Sequence, residues 1–233
     1  MKTDLIKRIV KYRMYYLFLL PVLVFYMFLT ISPLFTSIMI SFQKYGLLGS
    51  MGYDGLENYK KLFTDSFFLD TIANTVFIAL WITVLSVFVP IPLAISLDNL
   101  RRGNFKNFTQ TSVYITHLMS WVIIYGIFLN FLSPNGILNN FLLERGVITR
   151  PIGFFTSGGL SRWMIIILTV WKDAGYLTII YLANLITVDK TLYEAADIDG
   201  ASPLDKIKYI KLPSLLPSMK IVTLITLMGG LRT

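Results

Sequence analysis

The sequence predicts an all-α polytopic membrane protein, and three observations lead to that class. Hydrophobic residues make up 55% of the 233 positions, and the mean hydropathy is +0.66. Runs without a charged residue, such as 14–43 and 71–97, exceed the roughly 20 residues that cross the apolar core of a bilayer. The sequence contains no cysteine, so neither disulfides nor thiolate metal sites enter the prediction.

Five apolar segments follow one another along the chain. They lie at about 14–40, 71–97, 108–132, 162–187 and 219 to the end. The first is far longer than the roughly 7–15 apolar residues of a secretory signal and lacks a small-residue cleavage site, so we expect a retained span. In the second segment, Pro90 and Pro92 are expected to kink the helix.

Basic residues are unevenly distributed between the connecting segments. If residues 1–13 are a cytoplasmic N-terminus, the inside segments hold thirteen of them and the outside segments six. The positive-inside rule favours this orientation, with residues 98–107 and 188–218 in the cytoplasm and residues 46–70 and 133–161 outside. The topology therefore accounts for the net charge of +8, and no nucleic-acid partner is expected.

A polar stretch with regular spacing separates the last two apolar segments. Residues 194–217 read EAADIDGASPLDKIKYIKLPSLLP. Glu194-Ala195-Ala196 is followed by three residues and Gly200, and nine further residues lead to Ile210, Lys211, Leu212 and Pro213.

The local chemistry of this stretch predicts a helix, a sharp turn and a second helix. A first helix is expected over 193–198, and Gly200 permits the left-handed conformation that ends a helix. Ser202 supplies an N-cap hydroxyl, Pro203 suits the first helical position and Asp205 places a carboxylate in the first turn. Glu194, Asp197 and Asp199 offer charge to a partner.

The spacing EAA-x3-G-x9-I-x-L-P resembles the cytoplasmic loop of the inner-membrane permease subunits of binding-protein-dependent ABC importers. Residues 16–21 (YLFLLP), 55–59 (GLENY) and 179–183 (IIYLA) are similar to the carbohydrate branch of that family. The resemblance covers nearly the whole chain. It implies a type I importer helical bundle over 14–233 in the bacterial cell membrane, with a coupling loop at 189–217. The implied substrate is a carbohydrate, preferably an oligosaccharide or polysaccharide fragment.

The resemblance also implies partners and roles for individual residues. The expected partners are a second permease subunit, ABC ATPase subunits and an extracellular solute-binding protein. The residues implied in docking to the ATPase are Glu194, Ala195, Ala196, Asp199, Gly200, Ile210, Leu212 and Pro213. Since the helix before the loop lines the translocation path in this family, Trp171, Lys172, Asp173 and Gly175 are implied as path residues. A structural pair, or a kink near Gly175, is the alternative for this group.

The resemblance implies six core spans, and the last apolar segment of this chain is too short for a complete span. Counted from Met219 to Thr233 it has about 15 residues, or roughly 22 Å, against a hydrocarbon core of about 30 Å. We therefore expect five spans, an incomplete last one and a chain truncated at its C-terminus. A short form that pairs its end with another subunit and a non-functional fragment are the alternatives.

Motifs for chemistry or for ATP binding are missing from the sequence. No GxxxxGK[ST] phosphate loop, HExxH pair or Ser-His-Asp arrangement occurs, so we expect no catalytic, cofactor or metal site and assign ATP hydrolysis to a partner chain. His117 is a lone imidazole and is expected to be hydrogen-bonded in the packing. A secondary transporter driven by an ion gradient is the alternative function, but it would need inverted repeats that the sequence does not display.

Overall fold

A computed structural model describes residues 11–46, 49–100 and 103–230. The expected inside charges Lys2, Lys7, Arg8, Arg101 and Arg102 lie outside the described residues. Within the described ranges, five helical segments are long and apolar enough to cross a membrane, as the sequence predicts. They are Arg13–Ser41, Ser66–Asn99, Trp121–Glu144, Gly158–Ile186 and Pro203–Gly230.

Contacts divide the chain into two compact units, Met1–Thr71 and Ile72–Thr233. The first unit contains α1 (Arg13–Tyr26), a π-helical turn (Met27–Ile31), α2 (Ser32–Ser41), a hairpin and α3 (Glu57–Thr64). The hairpin pairs β1 (Gln43–Gly46) with β2 (Gly49–Tyr53) in antiparallel register. The sequence does not predict this hairpin, because these short glycine-containing strands lack the alternation that marks a strand.

A helix that begins at Ser66 continues into the second unit, where helices account for nearly all of the regular structure. They are α4 (Ser66–Phe88), α5 (Pro90–Asn99), α6 (Asn104–Leu118), α7 (Trp121–Leu132), α8 (Ile137–Glu144), α9 (Gly158–Ile186), α10 (Lys190–Ile198), α11 (Pro203–Lys206), a π-helical turn (Ile207–Lys211) and α12 (Leu212–Gly230).

Helix α9 is the centre of the second unit. Of the five candidate spans it has the largest buried share, 56%. Leu177, Tyr181 and Leu185 of α9 pack in one apolar core with side chains of α4, α5 and α12. A helix that is apolar around most of its circumference is buried in this way when other helices surround it.

The second span is interrupted where the prolines stand. Helix α4 ends at Phe88 and α5 begins at Pro90, because neither Pro90 nor Pro92 has an amide hydrogen to donate one turn back. Beside the interruption, the Tyr181 hydroxyl donates to the carbonyl oxygen of Val87 at 3.1 Å. This bond joins α9 to α4 next to the interruption between Phe88 and Pro90.

The structure corrects the third apolar segment. Instead of one helix over 108–132, α6 ends at Leu118 and α7 begins at Trp121. Met119 has an extended backbone, with φ −72° and ψ 139°. Ser120 is the N-cap of α7, since its hydroxyl accepts the Val122 N–H at 3.2 Å. The hydropathy of the segment does not reveal this break, because the only sign of it is one capping serine among apolar residues.

The start of the fifth span is also corrected. Helix continues from Pro203 through the π-helical turn into α12, so the candidate span has 28 residues and begins 16 positions before Met219. At 1.5 Å per residue these correspond to about 42 Å. The helix is therefore longer than the apolar segment 219–233, but its residues 203–217 belong to the predicted coupling loop. An incomplete last span stays a prediction.

Candidate functional site

The predicted coupling loop, residues 189–217, begins with a well-capped helix. The Asp189 carboxylate accepts the backbone N–H of Thr191 at 3.0 Å and forms the N-cap of α10. This hydrogen bond lowers the pKa of Asp189 below the usual value, because it stabilises the charged form. Helix α10 starts three residues before the predicted helix and ends where the sequence predicts, at Ile198.

The turn after α10 is a Schellman motif. Gly200 has φ +71°, its N–H donates to the Asp197 carbonyl at 3.2 Å, and the Ala201 N–H donates to the Ala196 carbonyl at 2.9 Å. These two bonds satisfy carbonyl groups that the helix end leaves without intrahelical partners. The prediction that Gly200 ends the helix in the left-handed conformation is confirmed.

A capping box starts the second helix. The Asp205 N–H donates to the Ser202 hydroxyl at 3.3 Å, and the Ser202 N–H donates to the Asp205 carboxylate at 3.0 Å. Pro203 occupies the first turn, as predicted. Lys206 forms an ion pair with Asp197 and thereby joins the two helices across the turn. Asp197 therefore forms an ion pair within the loop, whereas the sequence predicts that it contacts a partner.

A buried ion pair anchors the second half of the loop to α5. The Lys211 ammonium lies 2.5 Å from a carboxylate oxygen of Asp98 and 2.6 Å from the amide oxygen of Asn99. Lys211 is only 6% exposed. The Tyr193 ring of α10 lies 5.9 Å from the same ammonium. Burial, and then the negative charge of Asp98, raise the pKa of Tyr193. Through these contacts, three helical segments meet at the Lys211 ammonium.

The residues implied in docking form two groups along the loop, and the first group is largely exposed. Glu194, Ala195, Asp199 and Gly200 are exposed, and Ala196 is half-buried. Within the described residues, Glu194 and Asp199 form no ion pair. Exposed apolar side chains stand on the same two helices, namely Leu192, Ile198 and Leu204, of which Ile198 is 87% exposed. Together these side chains form a surface that combines acidic and apolar character.

The second part of the motif lies beside α5. Ile210 is half-buried, whereas Leu212 and Pro213 are exposed. Leu212 and Pro213 line an open cavity of about 460 Å³ together with Ile91 and Pro92 of α5. The structure therefore brings Leu212 and Pro213 to the start of α5 without burying them.

The implied path residues lie where α9 packs against the end of α6. The Lys172 ammonium donates to the carbonyl oxygen of His117 at 2.9 Å, and the Thr116 hydroxyl donates to the carbonyl oxygen of Lys172 at 3.1 Å. The His117 ring hydrogen-bonds Asp173 at 3.0 Å and stacks on Tyr176 with a centroid distance of 4.6 Å. His117 is therefore hydrogen-bonded, as expected.

Trp171 and Gly175 have different surroundings. Trp171 is 44% exposed, and its ring packs edge-on against Phe128 of α7 at 5.4 Å. Gly175 is buried, and a Cβ at that position would lie 1.9 Å from the carbonyl oxygen of Val113. A glycine is needed here for the close approach of α6 and α9. The surroundings of Lys172 and Gly175 favour the packing alternative for these two residues.

A cavity of about 270 Å³ opens beside this cluster. Its wall includes His117, Trp121 and Asp173, and it also includes hydroxyl-bearing residues of three helices. Those residues are Ser86, Thr169, Tyr176 and Thr226. Lys172 is not part of the wall. Among the described residues, no group of three or more His, Asp or Glu side chains is arranged to hold a metal ion.

Sequence reasoning missed the partners of these residues. Lys211 occupies the variable position of the I-x-L-P motif, and its partner Asp98 stands 113 positions earlier. His117 and Asp173 are 56 positions apart. The available signal was weak: each is an ionisable residue within or at the end of an apolar segment, and such residues usually have a partner.

Comparison with known proteins agrees with this architecture. The profile of the family described as "Binding-protein-dependent transport system inner membrane component" matches residues 90–233. The permease protein YteP of the polygalacturonan/rhamnogalacturonan transport system of Bacillus subtilis is 35% identical over 235 residues, covering 98% of this chain and 71% of YteP. The permease protein AraP of the arabinooligosaccharides transport system of the same organism is 31% identical, covering 93% of this chain and 68% of AraP.

A solved structure matches the fold. The crystal structure of a bacterial ABC transporter involved in the import of the acidic polysaccharide alginate aligns with a TM-score of 0.85 at 28% identity. The alignment covers 99% of this chain and 77% of that chain. The protein is thus a multi-pass membrane component of a transport system, and not an enzyme. It belongs to the inner-membrane component family of binding-protein-dependent transport systems. This assignment does not support the ion-gradient alternative.

Proposed function

We propose that this chain is a permease subunit of an ATP-driven importer for a carbohydrate, preferably an oligosaccharide or a polysaccharide fragment. The proposal draws on the similarity to YteP, AraP and the alginate transporter, whose names specify such substrates. The partners we propose are a second permease subunit, a pair of ABC ATPase subunits and an extracellular solute-binding protein. The observation that carries the proposal is the stiffened loop with its exposed docking residues.

The coupling role rests on the geometry of that loop. A partner that docks on Glu194, Ala195 and Ala196 would transmit movement only if the two helices keep a fixed angle. Three features fix it: the Schellman turn at Gly200, the capping box at Ser202 and the ion pair across the turn. Leu192, Ile198 and Leu204 provide apolar area, and apolar contacts drive most protein association.

Gly200 provides a direct test of coupling. At φ +71° a β-branched residue is strongly disfavoured, whereas asparagine tolerates this conformation better than most residues. We expect Gly200→Val to reduce both co-purification of the ATPase and sugar uptake by about tenfold, which corresponds to about 1.4 kcal/mol. Gly200→Asn is the matched control and should retain most of both.

Glu194→Lys tests the contact itself, because it reverses a charge without straining the backbone. Membrane insertion of every variant should equal that of the unchanged protein. Full ATPase recruitment and full uptake by both Gly200→Val and Glu194→Lys would contradict the docking role.

We also propose that the N-terminus and the coupling loop face the cytoplasm. The chain has no cysteine, so single cysteines report position without background. Leu204→Cys and Tyr53→Cys are suitable sites, since Leu204 is 75% and Tyr53 is 81% exposed. In intact cells an impermeant thiol reagent should label position 53 and spare position 204, and opening cells that lack the ATPase subunits should expose both. Labelling of position 204 in intact cells would overturn the orientation.

For the path, we propose that Trp171 and Asp173 take part directly and that Lys172 and Gly175 hold α9 against α6. Exposure of Trp171 and the place of Asp173 in the cavity wall support the first part. The buried contacts of Lys172 and Gly175 support the second. Uptake per assembled complex separates the two roles. Trp171→Ala should lower uptake per complex, and Lys172→Met should lower the amount of complex first.

A further inference from the structure

The cavity beside α9 presents an unusual set of polar atoms. His117 Nδ1 and Asp173 Oδ1 form a hydrogen bond at 3.0 Å. A carboxylate oxygen accepts, so Nδ1 donates the proton of this bond. Oδ2 of Asp173 has no hydrogen-bond partner in the part of the chain that the structure describes. Asp173 therefore offers an unused acceptor atom to the cavity.

The nearest cation does not offset this pattern inside the cavity. Lys172 is 3.9 Å from Asp173 Oδ1, but its ammonium donates to the His117 carbonyl and its side chain is only 9% exposed. Lys172 does not line the cavity and therefore offers no proton to a ligand there. The Thr226 hydroxyl already donates to the carbonyl oxygen of Val222 at 2.8 Å, which leaves its oxygen as another acceptor.

We propose that this cavity receives an uncharged, hydroxyl-rich sugar unit and disfavours a uronate unit, and that Asp173 determines this specificity. The inference rests on the carbohydrate function proposed above and assigns the charge of the unit bound at one place on the path. A sugar hydroxyl donates to Asp173 Oδ2. A uronate carboxylate has no proton to donate to that atom, and its charge repels that of Asp173, the one carboxylate among the residues that line this cavity.

The shape of the wall agrees with a sugar ring. Trp121 stands at the first turn of α7, and the ammonium of Lys172 lies 5.5 Å from the centroid of its ring. This contact holds the indole beside the cavity, and Trp121 also lines a second cavity of about 420 Å³ with Tyr125, Phe155 and Thr169. Flat apolar faces beside hydrogen-bonding groups are the combination that small polar ligands need for orientation.

The test compares two probes that differ only at C6. Galactotetraose has a neutral CH2OH group there, and tetragalacturonate has a carboxylate. Binding of each to the assembled importer in lipid nanodiscs, without its solute-binding protein, is measured by calorimetry at neutral pH. We expect galactotetraose to bind at least about tenfold more tightly. Asp173→Asn should reduce this ratio towards one, while Asp70→Asn, the same change at an exposed site outside the cavity, should leave it unchanged.

Each outcome decides the proposal. A wild-type importer that binds tetragalacturonate as tightly as galactotetraose overturns the assigned specificity and leaves the carbohydrate function intact. An importer that takes up a probe in cells but binds neither in nanodiscs overturns the assignment of this cavity alone. If no carbohydrate is bound or transported, the proposed function fails as well. Should Asp173→Asn not assemble, the wild-type ratio and the variant Asp173→Glu, which retains the charge, still test the inference.

Discussion

The ion pair between Lys211 and Asp98 makes a quantitative prediction possible. Replacing Lys211 by methionine keeps the length of the side chain and removes the charge, so that Asp98 loses the contact of 2.5 Å. Breaking a buried pair by removing one partner costs about 3–5 kcal/mol. The Asp98 side chain is 22% exposed and gains some hydration, so we expect the lower end, about 3 kcal/mol.

This magnitude translates into a measurable shift. For a chain of this size each kcal/mol moves the midpoint of thermal unfolding by about 2–4 °C, so Lys211→Met should lower the apparent midpoint by about 6–12 °C. The assay is fluorescence-detected size-exclusion chromatography of the heated, detergent-purified importer. Lys208→Met is the control, since Lys208 is exposed, lies over the ring of Tyr209 and forms no ion pair within the described residues. It should change the midpoint by no more than about 2 °C.

A double variant tests the mechanism of the loss. Lys211→Met combined with Asp98→Leu removes both charges, and apolar replacement of both partners of a buried pair is often close to neutral. We therefore expect the double variant to recover most of the loss. The reasoning is refuted if Lys211→Met is no more damaging than Lys208→Met, or if the two single losses simply add.

Two further predictions concern helix packing and pH. Gly175→Ala should destabilise the assembled importer by about 1–3 kcal/mol, because the new Cβ would meet the Val113 carbonyl. Gly126→Ala in α7 is the control, since open space surrounds Gly126, and it should be neutral or mildly stabilising. Equal midpoints of thermal unfolding for the two variants would contradict this prediction. The pKa of Asp189 is lowered in the folded loop, so its cap is at full strength above the ordinary pKa of an aspartate and is lost as the pH falls through the lowered value. A spin label at Leu192→Cys should become more mobile on acidification, and Asp189→Asn should abolish that change.

The sequence predicted the coupling loop closely because its features are local. A glycine at φ +71°, a serine N-cap and a first-turn carboxylate each act within three or four residues. The same is true of the kink at Pro90. Local signals of this kind do not depend on which distant helix lies nearby.

The pairs that hold the bundle together could not be predicted in the same way. Lys211 with Asp98 and His117 with Asp173 are separated by 113 and 56 positions. Which ionisable residue meets which depends on helix rotation and depth, and apolar composition does not encode either. The break at Ser120 was missed for a related reason: averaging hydropathy over a window removes the effect of one polar residue.

The continuous helix from Pro203 to Gly230 has a mechanical consequence. Lys211 forms the ion pair of this rod with α5, about 10 Å along the axis from Leu204 and about 22 Å from Thr226 in the cavity wall, and Leu215 and Val222 pack in the core beyond it. A rigid rod that pivots at Lys211 moves Thr226 about twice as far as Leu204, and in the opposite direction. Pro217, which lacks an amide hydrogen to bond one turn back, marks where the long arm bends most easily. If a partner pushes the loop and the rod pivots at Lys211, the ratio of these two arms sets how far the wall of the cavity is displaced.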